Sequence, residues 1–252
     1  MKNKVKGKKA SEKPKAFFMF AIITMIAEAL IIVVLAMALV TAYSGPKYTT
    51  DGNGNVVKVR EDRPVKYGKV EASDYVEGKT DSQAVFIWYV DMQCPACAQM
   101  APVVQSLYEK YGDRVAFVTR NLLIPGHTYA EPAAKAVEAA ARQDYQWDMT
   151  MELFYERANW AYVNSEDMLK DRFVEIFKTA TNGNGNVDKF LADYADSSTS
   201  NKIKTDEKMV KADGLNATPT IVIGGNYIDF TQSGTSVVEM FETEIKKALG
   251  EE

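Results

Sequence analysis

The 252-residue chain contains only two cysteines and one histidine, and this shortage excludes several kinds of site. A structural metal centre needs about four cysteine or histidine ligands, but the chain offers only Cys94, Cys97 and His127. A disulfide between two cysteines so close together closes a short loop and adds little stability. We therefore predict a redox-active dithiol without metal or cofactor. A structural disulfide and a metal-binding pair are the alternatives.

Positive charge is concentrated in residues 1–15, which hold seven lysines and one glutamate. The rest of the chain carries a net charge of −10, so nothing indicates nucleic-acid binding. Residues 16–43 are apolar apart from Glu28 and two threonines, and this length is enough to span a bilayer. We interpret residues 1–15 as a basic cytoplasmic tail and residues 16–43 as a transmembrane signal anchor, with a cleaved signal as the alternative.

The lysines also predict the orientation, because basic residues stay on the cytoplasmic side and place the rest of the chain outside. Glu28 lies in the middle of the apolar segment, so it is either protonated or in contact with another membrane protein. Residues 44–79 are rich in glycine, asparagine, lysine and aspartate. We interpret them as an extracytoplasmic tether with a possible hairpin near 56–59, followed by a folded domain over 80–250.

The two cysteines lie between a predicted strand and a predicted helix. Residues 84–90 are an apolar run typical of a buried strand, and after Cys97 the apolar residues recur at helical spacing until Gly112. Cys94 would then begin the helix, where free N–H groups and the helix dipole lower the pKa of a thiol. Cys97 lies one turn further and is shielded. We predict that Cys94 is the nucleophile and that Cys97 resolves the mixed disulfide.

The rest of the chain predicts an α/β domain interrupted by helices. Residues 114–119 read as a second strand, parallel to the first because a crossover helix joins them. Two further strands meet at Gly224 and Gly225, and a capping box from Ser236 to Glu239 opens a last helix. Between the two pairs of strands, a helical insertion is predicted over about 129–213. Its helical segments are 132–143, 146–158, 165–181, 187–195 and 200–213.

Two separate motifs resemble the DsbA-like branch of the thioredoxin superfamily. The first is the run from Asp91 to Cys97 with Pro102 behind it, and the second is the run from Gly214 to Thr220 ahead of a strand. The resemblance covers about residues 70–250 and implies a thioredoxin fold interrupted by a helical domain. It further implies a cis bond between Thr218 and Pro219, in a loop that binds substrate backbone and keeps metal off the cysteines.

This resemblance implies an extracytoplasmic, membrane-anchored thiol:disulfide oxidoreductase, in the first place a dithiol oxidase that introduces disulfides into exported proteins. The implied partners are thiol-containing exported proteins and a quinone-linked membrane oxidase. The alternatives are a disulfide reductase or isomerase with the same fold, and a tethered binding module with an inert disulfide. Strongly oxidising relatives carry histidine between the cysteines, where this chain has Ala96, so we expect weaker stabilisation of its reduced form.

Four other residues have two possible roles each. Asp91 either assists proton transfer at Cys97 or is a solvated acid at a strand end. His127 is either a proton or electrostatic partner of the thiols or a loop histidine. Trp160 and Tyr162 either line a peptide groove or belong to the core of the insertion.

Overall fold

The protein is represented by a computed structural model that describes residues 31, 48–50, 56–58, 63–231 and 236–251. The predicted tail over 1–15 and the predicted anchor over 16–43, apart from Ile31, lie outside these residues. Within the described ranges, no helix is both long and apolar enough to cross a membrane.

The chain divides into two compact units, residues 1–59 and residues 60–252. In the first unit, strands β1 (Tyr48–Thr50) and β2 (Val56–Lys58) pair in antiparallel fashion. This hairpin is the one that the sequence pattern near 56–59 suggested.

The second unit is built on a six-stranded mixed sheet with strand order β3-β8-β7-β5-β6-β4. Strands β5 and β6 are parallel, as predicted for a crossover through one helix, while the other neighbours are antiparallel. The turn between β7 and β8 uses Gly224 and Gly225 with φ of 56° and 87°, a region that favours glycine. The strands are β3 (Arg63–Pro64), β4 (Val76–Gly78), β5 (Val85–Val90), β6 (Ala116–Asn121), β7 (Thr220–Ile223) and β8 (Asn226–Ile228).

Helices occupy the connection between β5 and β6, the predicted insertion and the C-terminal end. They are α1 (Pro95–Tyr111), α2 (Ala130–Ala141), α3 (Gln146–Tyr155), α4 (Arg157–Trp160), α5 (Glu166–Ala180), α6 (Val187–Ala195), α7 (Ser200–Asp213) and α8 (Val237–Leu249). Helices α2 to α7 lie within the range predicted as a helical insertion, about 129–213, and the short helix α4 is an element of its own. The predicted capping box is wrong, because the Ser236 side chain makes no capping hydrogen bond.

Strand β5 is buried on both faces. Phe86 and Trp88 face a large apolar cluster formed with α1, the insertion and α8, and the Trp88 ring centroid lies 5.1 Å from that of Phe154. Val85 and Ile87 face a smaller cluster formed with β6 and α7, to which residues of the 65–76 segment add their side chains. Burial on both faces explains why β5 reads as a continuous apolar run rather than an alternating one.

Residues 63–79 were expected in the tether, but the structure places them in the domain. Strand β3 pairs with β8 and strand β4 pairs with β6, so this segment supplies both edges of the sheet. The predicted start of the domain at residue 80 is therefore too late in the chain. The strands are only two and three residues long, and strands that short leave no periodic pattern in the sequence.

Candidate active site

The two thiols are held at the carboxyl end of β5, where the chain turns into α1. Cys94 is the N-cap residue of α1, and its N–H donates to the Asp91 carbonyl oxygen at 3.0 Å. Both cysteines are free thiols, and 7% of Cys94 and 0% of Cys97 are exposed. The pair therefore has one sulfur at the edge of the surface and one behind it, as the helical spacing predicted.

The environment separates the pKa values of the two thiols. A hydrogen bond from the Cys97 thiol, opposed by burial and assisted by the Thr218 side chain and by the N–H groups of Cys97 and Ala96, lowers the pKa of Cys94 to about 5. Burial, together with the neighbouring Cys94 sulfur, raises the pKa of Cys97 well above its usual range. At neutral pH the reduced site therefore holds a Cys94 thiolate that accepts a hydrogen bond from the protonated Cys97 thiol.

The second motif of the resemblance meets the first at this point. The Thr218–Pro219 peptide bond is cis, and the Thr218 carbonyl oxygen lies 3.6 Å from Cys94 Sγ, although 124 residues separate them in sequence. The Thr218 hydroxyl is buried and has no hydrogen-bond partner of standard geometry among the described residues. It is thus available to the thiolate, whose pKa the Thr218 side chain lowers.

Asp91 and His127 lie together, but their side chains bond to the loop rather than to the sulfurs. Asp91 is fully buried, and its carboxylate accepts from His127 Nδ1 at 2.8 Å, from the Ile124 N–H at 2.8 Å and from the Gln93 N–H at 2.8 Å. These contacts hold the loop after β6 against the turn that precedes Cys94. In the described part of the chain, no hydrogen bond joins the Asp91 carboxylate or the His127 ring to either sulfur.

Sequence reasoning missed Gln93 and Arg157, which fasten the turn to the insertion. The Gln93 side chain donates to the Ala161 carbonyl oxygen at 2.8 Å and accepts from the Tyr129 N–H at 2.7 Å. Arg157 Nε donates to the Gln93 carbonyl oxygen at 2.6 Å. These contacts join residues that are 36 to 68 positions apart in the sequence, so no local sequence pattern predicts them.

The two aromatic candidates of the insertion have different roles. Trp160 is fully buried, donates to the Leu153 carbonyl oxygen at 2.8 Å and packs on Phe173, so it belongs to the core. Tyr162 is 71% exposed, and its hydroxyl accepts from Arg157 at 3.0 Å. Of the pair, only Tyr162 stands at the surface.

A second buried polar cluster lies on the other side of the sheet, and we call it the charge network. Its members are Asp74, Arg120, Glu138, Lys202 and Asp206. Arg120 is fully buried and binds Asp74 at 2.6 Å, with further bonds to carbonyl oxygens of the 65–76 segment. Burial raises the pKa of Glu138 to about 7. Among the described residues, Asn121 donates to one oxygen of its carboxyl group, and the other carboxyl oxygen has no hydrogen-bond partner there.

The charge network and the dithiol site have no residue in common. Lys202 pairs with Asp206 and lies 3.5 Å from Asp74, so it bridges α7 to the segment before β4. Asp206 also accepts from the Asn121 N–H at 2.9 Å. Among the residues that the structure describes, no three His, Cys, Asp or Glu side chains are placed to hold a metal ion.

Solved structures with this fold come from several bacteria. BdbD from Bacillus subtilis, in its oxidised form, matches 74% of this chain and 98% of its own, with a TM-score of 0.60 and 18% identity. Alpha-DsbA1 from Wolbachia pipientis matches 72% and 94%, with a TM-score of 0.56 and 19% identity. A periplasmic thioredoxin-like protein from Salmonella enterica serovar Typhimurium matches 71% and 92%, with a TM-score of 0.54 and 18% identity. At such identities the likeness establishes the fold.

Curated relatives carry a different name. The chain is 28% identical over 155 residues to a Na(+)/H(+) antiporter NhaA 1 of Mycolicibacterium gilvum, across 60% of this chain and 23% of that protein. It is 31% identical over 153 residues to a Na(+)/H(+) antiporter NhaA 3 of Salinispora tropica, across 60% and 22%. The chain spans less than a quarter of the length of these relatives, so the antiporter activity in their names is a property of those proteins and is not assigned to this chain.

A family model described as Thioredoxin matches residues 71–242, which is more than half of the chain. The match includes both cysteines, the loop of Thr218 and the helical insertion between them. The chain belongs to this thioredoxin family, and with its paired thiols it is a protein thiol:disulfide oxidoreductase.

Proposed function

We propose that this protein is an extracytoplasmic, membrane-anchored dithiol oxidase that introduces disulfides into exported proteins through Cys94 and Cys97. The observation that carries this proposal is the placement of Cys94 at the N-cap of α1, beside Cys97 and the cis Thr218–Pro219 bond. These surroundings stabilise the Cys94 thiolate and lower its pKa to about 5. A stabilised thiolate favours the reduced form of the protein, so the oxidised form gives up its disulfide readily. A pKa of about 5 lies between the ~7 of thioredoxin and the ~3.5 of DsbA.

The reaction begins with a substrate thiolate that attacks Cys94 Sγ of the oxidised pair. A bond forms between the substrate sulfur and Cys94, the bond between Cys94 and Cys97 breaks, and Cys97 leaves with the electron pair. Cys97 then takes up a proton, since burial holds its pKa high. In this direction the more exposed Cys94 is the sulfur that is attacked and the buried Cys97 is the leaving group. In the reverse direction Cys94 is the nucleophile and Cys97 resolves the mixed disulfide.

A second thiolate of the substrate completes the exchange. It attacks the substrate sulfur of the mixed disulfide, and Cys94 leaves as the thiolate that its surroundings stabilise. The substrate has then lost two electrons and two protons, and the protein carries a reduced dithiol. Thr218 supports this step, because its hydroxyl is available as a donor to the leaving sulfur.

Location and recycling are part of the same proposal. The lysine-rich tail over 1–15 and the apolar segment over 16–43 support anchoring with the thiols outside the cytoplasm. The periplasmic neighbour from Salmonella enterica supports this location. A quinone-linked membrane oxidase is the proposed acceptor of the electrons that each cycle leaves on Cys94 and Cys97.

The test is a transfer experiment with the oxidised full-length chain in detergent. It is mixed at a one-to-one ratio with a reduced, unfolded protein that carries one cysteine pair, and free thiols on both proteins are counted by alkylation. We expect two thiols to appear on this chain for each disulfide formed in the substrate. If the substrate keeps its thiols and the chain stays oxidised, the oxidase proposal is wrong, and a reductase or a tethered binding module with an inert disulfide takes its place.

A further inference from the structure

The peptide unit that precedes Cys94 is held by the insertion through one side chain. The Gln93 carbonyl oxygen accepts from Arg157 Nε at 2.6 Å, and the next N–H, that of Cys94, donates to the Asp91 carbonyl oxygen at 3.0 Å. Both polar groups of this peptide unit are therefore bound. Because the unit fixes the backbone angles of Cys94, it also fixes where the sulfur lies relative to Cys97 and to Thr218.

The same arginine holds an exposed ring. Arg157 Nη1 donates to the Tyr162 hydroxyl at 3.0 Å, and the guanidinium carbon lies 5.1 Å from the centre of the Tyr162 ring. Helix α4 supports the arrangement, because it begins at Arg157 and ends at Trp160, which is fully buried. Tyr162, although 71% exposed, is thus tied to a rigid part of the insertion.

The surface around this ring has the chemistry of a site for an extended polypeptide. Tyr162 lines a cavity of about 400 Å³ together with Met168, which is 47% exposed, and with the amide side chains of Asn159 and Asn164. Amide groups can pair with backbone N–H and C=O groups, and the ring and thioether offer apolar contact. Arg157 bonds to both the Gln93 carbonyl oxygen and the Tyr162 hydroxyl, so this surface is linked directly to the turn that carries Cys94.

We propose that Arg157 is a positioning residue for thiol exchange at Cys94, and that the Tyr162 ring it holds is the contact of the insertion with the polypeptide that flanks the substrate cysteine. The proposal rests on the proposed thiol exchange and adds to it the residues that recognise the substrate chain. A small thiol depends only on the positioning of Cys94 by Arg157, since it has no flanking chain to contact Tyr162. A polypeptide thiol depends on both the positioning of Cys94 and the contact with Tyr162.

The experiment measures exchange by the full-length chain with two substrates, glutathione and a reduced unfolded polypeptide. Arg157→Met keeps the volume and removes the donors. We expect it to slow exchange with both substrates about five- to tenfold, since a charge-assisted hydrogen bond next to Cys94 is lost. The pH midpoint of Cys94 alkylation should rise, and Arg157→Lys should recover part of both effects. Arg114→Gln, which removes an arginine from an exposed ion pair with Glu251, is the matched control and should change neither.

Tyr162→Ala tests the second function. We expect its KM for the polypeptide to rise about three- to tenfold while its rate with glutathione stays at the wild-type value, because only the flanking chain loses a contact. Tyr155→Ala is the control, since Tyr155 is also exposed, at 51%, but lines a different cavity, together with Gln105 and Trp147. An equal rise in KM for both variants would overturn the Tyr162 assignment.

The outcomes also separate this inference from the proposed function. If wild-type protein exchanges with glutathione and Arg157→Met does so at the same rate and with the same Cys94 midpoint, the positioning role is wrong while thiol exchange stands. If wild-type protein exchanges with neither substrate, the proposed function fails first. Should Arg157→Met lose its near-ultraviolet circular dichroism, Arg157→Lys decides instead: loss of the Nε donor to the Gln93 carbonyl oxygen must shift the Cys94 midpoint in the same direction, to a smaller extent, and no shift overturns the positioning role.

Discussion

The dithiol site and the charge network are both buried, yet they satisfy their polar groups in different ways. In the charge network Arg120 bonds to Asp74, to Tyr89 and to two backbone carbonyl oxygens, so its charge is matched on every side. At the dithiol the Cys94 thiolate relies on Cys97, on nearby N–H groups and on a Thr218 hydroxyl that has no other partner within the described residues. The first arrangement stabilises the fold, and the second keeps a reactive group charged.

This difference has a consequence for how each region responds to substitution. A buried ion that loses its partner is costly, because the remaining charge stays out of water. A thiolate that loses one donor stays in place with a higher pKa, since it can take up a proton. Changes in the charge network should therefore reduce stability, and changes at the dithiol should alter reactivity.

The largest expected effect is at the two cysteines. With Cys97→Ala the mixed disulfide at Cys94 cannot be resolved on the return path, so covalent complexes with exported proteins should accumulate. With Cys94→Ala no complexes should form, because the remaining thiol is fully buried and its pKa is raised. The measurement is non-reducing electrophoresis of cells that express each full-length variant, with reduction as the control. Complexes on Cys94→Ala instead would reverse the two roles.

The second largest effect is expected in the charge network. Asp74→Ala leaves the Arg120 charge buried without its carboxylate and should lower the free energy of unfolding by about 3–5 kcal/mol. Denaturant titration measures this, and Asp81→Ala, from an exposed pair with Lys79, should leave stability unchanged. The pH midpoint of Cys94 alkylation should stay the same in both variants. A shifted midpoint in folded Asp74→Ala would mean that the two regions are coupled.

A smaller effect is expected from Thr218→Val. Loss of a hydroxyl donor to the thiolate should raise the pKa of Cys94 by ~1 unit, while Thr218→Ser should leave it unchanged. The folded-state pKa of Cys94, about 5, lies below its ordinary value of 9.0. Reduced protein should therefore gain stability as pH rises from 5 towards 9 and lose it as pH falls through 5, and the valine variant should gain less. Alkylation rates between pH 4 and pH 9, compared with urea titrations of the reduced protein, measure both.

The smallest effect is expected from Glu138→Gln. The folded-state pKa of Glu138 is about 7, above its ordinary value of 4.5, so the folded protein binds more protons than the unfolded protein between these values. This group therefore makes stability fall as pH rises from 4.5 through 7, and glutamine should remove that contribution. Arg142, Lys202 and Asp206 also face this carboxyl group and stay in the variant. Urea titrations at pH 5 and pH 8 should show a smaller difference for the variant than for wild-type protein.

The parts of the structure that local pattern determines could be predicted from the sequence. The apolar run of β5, the helical spacing after Cys97 and the alternation of helices in the insertion each reflect burial of one element against the core. The split between an accessible Cys94 and a buried Cys97 follows from one helical turn. Ala96 led us to expect weaker stabilisation of the thiolate, but the strongest contribution comes from Cys97 within the motif itself.

The parts of the structure that depend on contacts between distant residues could not be predicted from the sequence. Residues 63–79 look polar and irregular because their polar groups find partners far away in the sequence. Asp74 binds Arg120, 46 positions further along the chain, and the Lys66 and Tyr67 N–H groups donate to Asp213. Gln93 and Arg157 lie 64 positions apart, so no local pattern links them. The pattern from Ser236 to Glu239 fits a capping box, yet the side-chain bond is not made. Such contacts are set by the tertiary structure.

The central claim, that the stabilised Cys94 thiolate makes this protein an oxidant, is tested most directly by its reduction potential. The full-length chain is equilibrated at pH 7 with glutathione buffers of known ratio, and the fraction of reduced protein is read by alkylation. The account predicts a potential between about −200 and −130 mV, less oxidising than the ~ −120 mV of DsbA. A potential below about −230 mV would contradict it and favour a reductase, and one below about −300 mV would indicate an inert disulfide.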